Sequence, residues 1–540
     1  MKRLLFIISL ILGTQTAMPC TNLIVGKKAS ADGSVMCSYS ADDYGMFQNL
    51  CHYPAAKHSK GEMRLIYDWD TNEFHGKIPE ASETYNVIGN INEFQVTIAE
   101  TTFGGRPEMV DSTGIIDYGS LIYIGLQRSR TAREAISIMT SLAEKYGYNS
   151  EGETFTICDP QEAWIMEMMG CGPGSKQVVW VAVRIPDDAI CAHANQSRIR
   201  TFNQNDKKNV LYSKNVIKFA REKGWYNGKD ADFNFCMTYA APDFGGRRWC
   251  EARVWSFYNR FCSDMDRYLP YVEGTAEHSE PMPLWVIPNR KLTVADVEAA
   301  MRDHYENTPF ALDKEGDIGG GIWRMPYRLT PLEYEVDGKK CFNERPISTQ
   351  QAGFVFVSQM RSWLPREIGG VLWFANDDAN MAPFTPVYCC VTKVPNCYNT
   401  PGADAVTFSK DNAFWIQNWV SNMVYPRYEH MFPSLKLVRD SLDSSYIKNQ
   451  PVIEQQAQLL YKTSPDKAVD FLNNYTNEKA QQMLTRWQRL AVFLIVKYND
   501  MVIKPDVNGQ FTRTKTGLGE HPLRPGYPLQ YSREMQKLSK

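Results

Sequence analysis

Long apolar runs are missing from this 540-residue chain. The largely apolar run from Leu4 to Leu12 falls well short of the roughly 20 residues that a membrane-spanning helix needs, and no other segment is long enough. A surplus of charge is missing too: 59 Lys and Arg face 61 Asp and Glu, for a formal net charge of −2. That balance gives no ground for a nucleic-acid or membrane partner. Histidine is scarce, with eight scattered residues, so no ligand pair stands beside CCVTKVPNC at 389–397, where core cysteines or disulfides are expected instead. Neither a metal nor an organic cofactor is implied. Internal repeats and low-complexity linkers are absent.

What is present begins with Lys2-Arg3, the short apolar run, and small and polar residues ending near Ala17, the layout of a secretory leader. Residues 1–19 are therefore expected to be signal peptide and propeptide, and the mature chain to be exported, secreted or periplasmic. Thirteen cysteines is an odd number, so pairing leaves at least one thiol free. The length allows several average domains or one large elaborated one.

From Thr21, TNLIVG alternates as a strand, KKASADGS supplies a turn, and VMCSYS alternates again, which predicts a hairpin directly after Cys20. A second hairpin is expected from YNVIG and VTIAET around Asn92-Glu93. A helical stretch follows over 120–146, with Thr131 and Glu134 at capping-box spacing and Gly147 closing it. TFTIC, EAWIMEM, QVVWVAVRI and AICAHA then read as four consecutive antiparallel strands joined by Asp-Pro, Gly-Pro-Gly and Pro-Asp-Asp turns. Helices are expected over 216–223, 250–262 and 294–305, the last with Thr293 as N-cap, and strands over 353–357, 370–374 and 387–392. From about Asn412 the chain reads as wholly helical. The layout predicts an α+β fold, antiparallel sheets covered by helices.

Cys20 is the sharpest candidate, because a nucleophilic side chain, the expected mature terminus and a following strand coincide there. A terminal residue carries its own base: an α-amine titrates near 7.7 to 8.0 and can take the thiol proton. Other motifs carry less. GCGPGSK at 170–176 has the wrong spacing for a phosphate loop, SPDK at 464–467 lacks companion motifs, and GDIGGG at 316–321 reads as a loop.

CTNLIVGKKASADGS closely resembles the opening of the dipeptidase A family of cysteine peptidases, which includes the secernins. The likeness continues in INEFQVTIAETT, EAWIMEM, WVAVRIPDDAICAHANQSRI, ARVWSFYN and GGVLWFANDDANMAPFTPVYC, and so spans essentially the whole mature chain. The resemblance implies an N-terminal-nucleophile hydrolase, related to the choloylglycine and penicillin V acylases. Its fold would be a four-layer αββα sandwich over residues 20–410, with a helical C-terminal region over 411–540. It implies Cys20 as nucleophile, Asp42 orienting the terminal amine, Asn92 donating to the oxyanion, Asn195 as a second active-site Asn, and Arg253 beside the Cys. From residue pattern alone, Asp42 is a solvated turn residue, Asn92 part of a turn, Asn195 a strand-end cap and Arg253 an exposed helix residue. Tyr39-Ser40 stands where the family has Arg-Asn, and in the related acylases that Arg tunes the nucleophile.

The expected substrates are dipeptides, and a homo-oligomer is allowed. A same-fold amidase acting on bile-salt conjugates, penicillins or acyl-homoserine lactones is the nearest rival. A lipoprotein diacylated at Cys20 is another, although Ala17-Met18-Pro19 makes a poor lipobox. Cleavage after Ala17 would leave Met18-Pro19 still to be removed before the amine is free.

Overall fold

The computed structural model describes residues 20–43, 45–276, 278–313 and 324–539. The leader expected over 1–19 and the Gly-rich loop at 316–321 lie outside the described residues. The fold is mixed α/β, with two large antiparallel sheets and a helical C-terminal region.

The hairpin after Cys20 forms the middle of the smaller sheet. Strands Thr21–Val25 and Val35–Asp42 pair antiparallel with Thr21 opposite Ser40. Ile190–His193 flanks them on one side, and Ala352–Met360, Val371–Asn376 and Thr385–Tyr388 on the other. Every residue of the hairpin strands is buried, because both faces of this sheet are covered. One face meets Thr97–Gly104 of the larger sheet, and the other meets helices Ala252–Phe261 and Val294–Met301. The larger sheet centres on Thr97–Gly104, Gly152–Cys158, Ala163–Gly170 and Val178–Ile185. Its outer face carries Tyr118–Arg128 and Ala132–Tyr146. Ile136, Met139 and Leu142 of the latter are buried in a shared core with Phe155, Ile157 and Met166, each contributing about 1.5–3 kcal/mol.

The helical stretch expected over 120–146 is two helices: Ser129 is extended, and the second half opens at Thr131, which accepts a hydrogen bond from Glu134 N–H as its N-cap. Two expectations need correcting. The fourth of the consecutive strands, Ile190–His193, leaves its predecessors and joins the smaller sheet beside Thr21–Val25. The Pro186-Asp187-Asp188 turn makes the crossing, and the Asp187 carbonyl accepts from Lys28 and Ala29 N–H. It is seated against Gly26, where any side chain would strike the Asp187 backbone. The C-terminal part is helical only to Tyr498 and again over Leu529–Leu538. Between them Pro505, Gly509, Gly517, Pro522 and Pro525 stop a helix, and Asp506–Val507 pairs with Gln510–Phe511 instead.

Helices Ala413–Val424, Tyr428–Tyr461 and Pro465–Tyr498 are keyed into the strands by buried charges. Arg361 forms a two-point bond to Glu454 at 2.6 and 2.7 Å, and Arg302 reaches Asp443 at 2.8 Å. None of the thirteen cysteines is in a disulfide. No helix among the described residues is long and apolar enough to cross a membrane.

Candidate active site

Cys20 precedes the first strand and is 3 % exposed. Its Sγ lies 3.7 Å from Glu100 Oε1 and 3.9 Å from the Tyr39 hydroxyl, which itself donates to Glu100. Tyr39 projects from the opposing strand, held edge-on by Phe354 and Phe356. Glu100 arrives from the larger sheet, so the site is built where the two sheets face each other. Burial, then the negative charges of Glu100 and Asp42, push the thiol well above its ordinary range. At rest the sulfur keeps its proton, and chemistry at Cys20 requires a proton acceptor.

Arg253 fixes the backbone at this point. It lies in the first turn of Ala252–Phe261 and is 1 % exposed, not the exposed helix residue that the pattern suggested. Its guanidinium donates to the Cys20 carbonyl at 2.7 Å, Thr21 Oγ1 at 2.8 Å, the Ala194 carbonyl at 3.1 Å, Asn195 Oδ1 at 3.0 Å and the Trp249 carbonyl at 2.6 Å. Asn195 follows Ile190–His193 with φ +62°, a conformation Asn tolerates. Its amide donates to the Thr102 carbonyl at 2.8 Å. Cys20, Arg253 and Asn195 thus form one connected unit that ties both sheets and a helix together.

Asp42 ends the second hairpin strand and is 1 % exposed. Its carboxylate accepts from Arg345 at 2.6 Å and from the Ser40 hydroxyl, which replaces the solvated turn of the pattern reading. Burial outweighs Arg345 and raises its pKa. Asn92 is not brought to Cys20. Its amide donates to the Leu126 and Ser129 carbonyls at 2.7 and 2.8 Å, and its Oδ1 accepts from Phe94 and Val96 N–H. All of its capacity goes to pinning the turn onto the end of Tyr118–Arg128, so the assignment to the oxyanion is corrected. Asn90, two residues earlier, lines the cavity that contains Cys20.

That cavity is small, about 20 Å³, room for about one water, between Cys20, Tyr39, Asp42, Asn90 and Glu100 on one side and Trp69, Tyr118 and Tyr123 on the other. Trp69 sits at the tip of the Met63–Pro79 hairpin and stacks near Tyr123 at 4.7 Å. It can approach only because Gly119 lacks a Cβ, which would collide with the indole. Asp70 beside it is exposed and accepts from the Tyr118 hydroxyl at 2.7 Å.

The family model described as "Peptidase family C69" matches residues 19–440, beginning one position before Cys20 and taking in every residue just placed around it. The chain belongs to peptidase family C69. It is a peptidase. Among similar proteins are the probable dipeptidase of Salmonella dublin, 26 % identical over 72 % of this chain and 85 % of its own length, and dipeptidase A of Lactobacillus helveticus, 26 % identical over 86 % and 96 %. The probable dipeptidase A of Streptococcus pyogenes is 24 % identical over 87 % and 96 %.

In this C69 peptidase, Glu100, Glu153 and Arg345 were not singled out from the sequence, and Tyr39 only as a departure from the family pattern. The signal for the two acids was there. VTIAETT and GETFTIC each place a glutamate inside a strand that is otherwise apolar or Thr, where an unpaired charge is costly. Asp68, His75 and Asp117 bring one ligand atom each within 4.8 Å at the hairpin tip. Asp117 is already the N-cap of Tyr118–Arg128, accepting from Ser120 N–H and its hydroxyl.

The loop that carries Asn195 hangs on Glu167, which accepts from the Ser197 hydroxyl at 2.5 Å and from Arg198 and Ile199 N–H. Burial pushes the Glu167 carboxyl from 4.5 up to about 7. Between those values the folded chain keeps a proton that the unfolded chain has released, so stability falls as pH rises, by on the order of 3 kcal/mol for this group. Denaturation midpoints measured from pH 5 to 8 should decline, and Glu167→Gln should flatten the decline. An identical slope in the variant refutes this source of pH dependence.

Proposed function

We propose that this peptidase is an exported cysteine dipeptidase of the N-terminal-nucleophile type. The observation that carries the reading is the Cys20 thiol, fixed through Arg253 and facing a small cavity with a carboxylate and a phenol at hydrogen-bonding range. The relatives named as dipeptidases favour dipeptides over long chains. Read from the outer face of the larger sheet inward, helices, sheet, sheet and helices follow in the order of the four-layer αββα sandwich.

In this reading the leader and Met18-Pro19 are removed and Cys20 becomes the first residue. Its thiol attacks the scissile carbonyl, its free amine serves as general base, and water hydrolyses the thioester. Asn90, which lines the cavity and spends one amide proton on the Ile98 carbonyl at 2.9 Å, is the oxyanion donor in this reading in place of Asn92. Asp70, exposed beside the cavity-lining Trp69 and Tyr118, is assigned to the substrate ammonium, because Asp42 is engaged by Arg345. A diacylated Cys20 is disfavoured by the burial of its side chain.

Intact mass and terminal sequencing of the exported protein, with a dipeptide hydrolysis assay, test this reading. A chain that starts at Cys20 and hydrolyses dipeptides is expected; an active chain that retains Met18-Pro19 would remove the amine as base. The two asparagines separate by phenotype. Asn90→Ala should lower kcat by about 10²–10³ with the fold intact, whereas Asn92→Ala should lower the melting temperature by unpinning its turn. The reverse assignment of phenotypes would restore Asn92 to the oxyanion.

A further inference from the structure

Glu100 and Glu153 stand on neighbouring strands of the larger sheet, in a register that sets Thr102 opposite Glu153. They are 2 % and 1 % exposed. One oxygen of each has a donor: Glu100 Oε1 accepts from Tyr39 and faces the Cys20 thiol, and Glu153 Oε1 accepts from the Thr102 hydroxyl at 2.8 Å. The other oxygens, Glu100 Oε2 and Glu153 Oε2, are buried, and no N–H or O–H group among the described residues reaches them. Burial first, and then the negative charge of Glu100, push the Glu153 carboxyl well above its ordinary range. Two buried carboxyl groups on neighbouring strands favour holding one proton and one negative charge between them. Its surroundings agree with that. Cys20 and Tyr39 face it from the smaller sheet, Tyr118 from its helix, Asp70 from the hairpin tip, and Tyr148 and Glu151 from beside Glu153.

We propose that Glu100 is a catalytic residue that takes the Cys20 thiol proton and delivers it to the leaving amine, and that Glu153 is a positioning residue that shares the pair's proton and so sets when Glu100 is free to act. The proposal rests on Cys20 being the nucleophile and adds a second proton carrier beside the α-amine. In acylation the S–H proton passes to Glu100, the sulfur electron pair forms the C–S bond, and the carbonyl π pair moves to oxygen. Collapse breaks the C–N bond, and the leaving nitrogen takes the proton from Glu100. In deacylation a water proton passes to Glu100 as the C–O bond forms. The C–S bond then breaks, and the thiolate recovers that proton. One water is consumed and Glu100 ends as it began. Tyr39 fits this scheme: a phenol aims the carboxylate by donating to it, yet brings no positive charge that would strip the thiol of its proton in advance.

Glu100→Gln keeps the shape and removes the acceptor. Two readouts should move in opposite directions. Dipeptide turnover should fall by about 10²–10⁴, while alkylation of Cys20 by iodoacetamide at neutral pH, followed by peptide mass spectrometry, should speed up because the neighbouring negative charge is gone. Glu153→Gln should shift the acid limb of kcat to lower pH with KM unchanged, since its amide donates to Glu100 and no longer competes for a proton. Unchanged kcat in Glu100→Gln would show that the α-amine suffices and overturn the proposal. A parallel loss of turnover and alkylation would mark Glu100 as merely structural and also overturn it. Turnover surviving in Cys20→Ala would instead defeat the underlying reading.

Discussion

Cys20→Ala should reduce dipeptide hydrolysis by roughly 10⁴-fold or more, the scale on which loss of a covalent nucleophile is felt, while leaving the fold in place. The thiol's contacts with other side chains are long, at 3.7 and 3.9 Å. The backbone of Cys20 is held independently by the Arg253 bond to its carbonyl. Removing Sγ therefore deletes chemistry without deleting an anchor, and the melting temperature should change little. Cys20→Ser is the sharper variant: it preserves volume and a hydroxyl, but a buried serine beside a carboxylate is far harder to ionise than a thiol. Substantial residual turnover in either variant, measured as kcat/KM with several dipeptides, would place the nucleophile elsewhere among the thirteen cysteines.

Arg253→Ala should be the most damaging single change to both stability and rate. Five acceptors from three segments converge on this guanidinium: Cys20–Thr21, Ala194–Asn195 and Trp249. Cys20, Thr21 and Ala194 are buried, and Asn195 and Trp249 partly so, so truncation strands their acceptors without a donor, at a cost of about 3–5 kcal/mol by analogy with breaking a buried charged pair. Activity should fall further than stability explains, because a shift of about 1 Å at the nucleophile can cost 10²-fold. Arg253→Lys tests the geometry itself. An ammonium offers three donors from one point and cannot span acceptors that a planar fork reaches from two sides. Expected, then, is a folded Lys variant with a strongly reduced kcat and a nearly unchanged KM. Wild-type kcat in that variant would show that charge alone suffices there.

Much of this protein was legible in its residue pattern. The hairpin after Cys20, the Thr131 and Thr293 caps and the strands of the larger sheet follow from short-range rules, and they appear within a few residues of where alternation and capping place them. What misled was always non-local. Ile190–His193 has the same local signature as the three strands before it, and only the seat that Gly26 offers to Asp187 sends it to the other sheet. Asn92 and Asn90 differ by two positions in one turn, and which of them lines the cavity that contains Cys20 depends on the end of a helix more than thirty residues away.

The site divides in the same way. Cys20 stood out because its position, side-chain chemistry and following strand are all properties of one short segment. Sequence by itself determined the strand and helix periods, the candidate nucleophile and the resemblance to a peptidase family. Only the tertiary structure decided which charges share its neighbourhood. Glu100 and Glu153 lie 80 residues or more from Cys20 in the chain and meet it because two sheets pack face to face. Arg253 is buried rather than exposed because four carbonyl and side-chain oxygens from two distant segments accept its protons. Backbone preferences act over a few residues and can be read along the chain. Desolvation and charge pairing act through space, and they become definite only when the fold has chosen the neighbours.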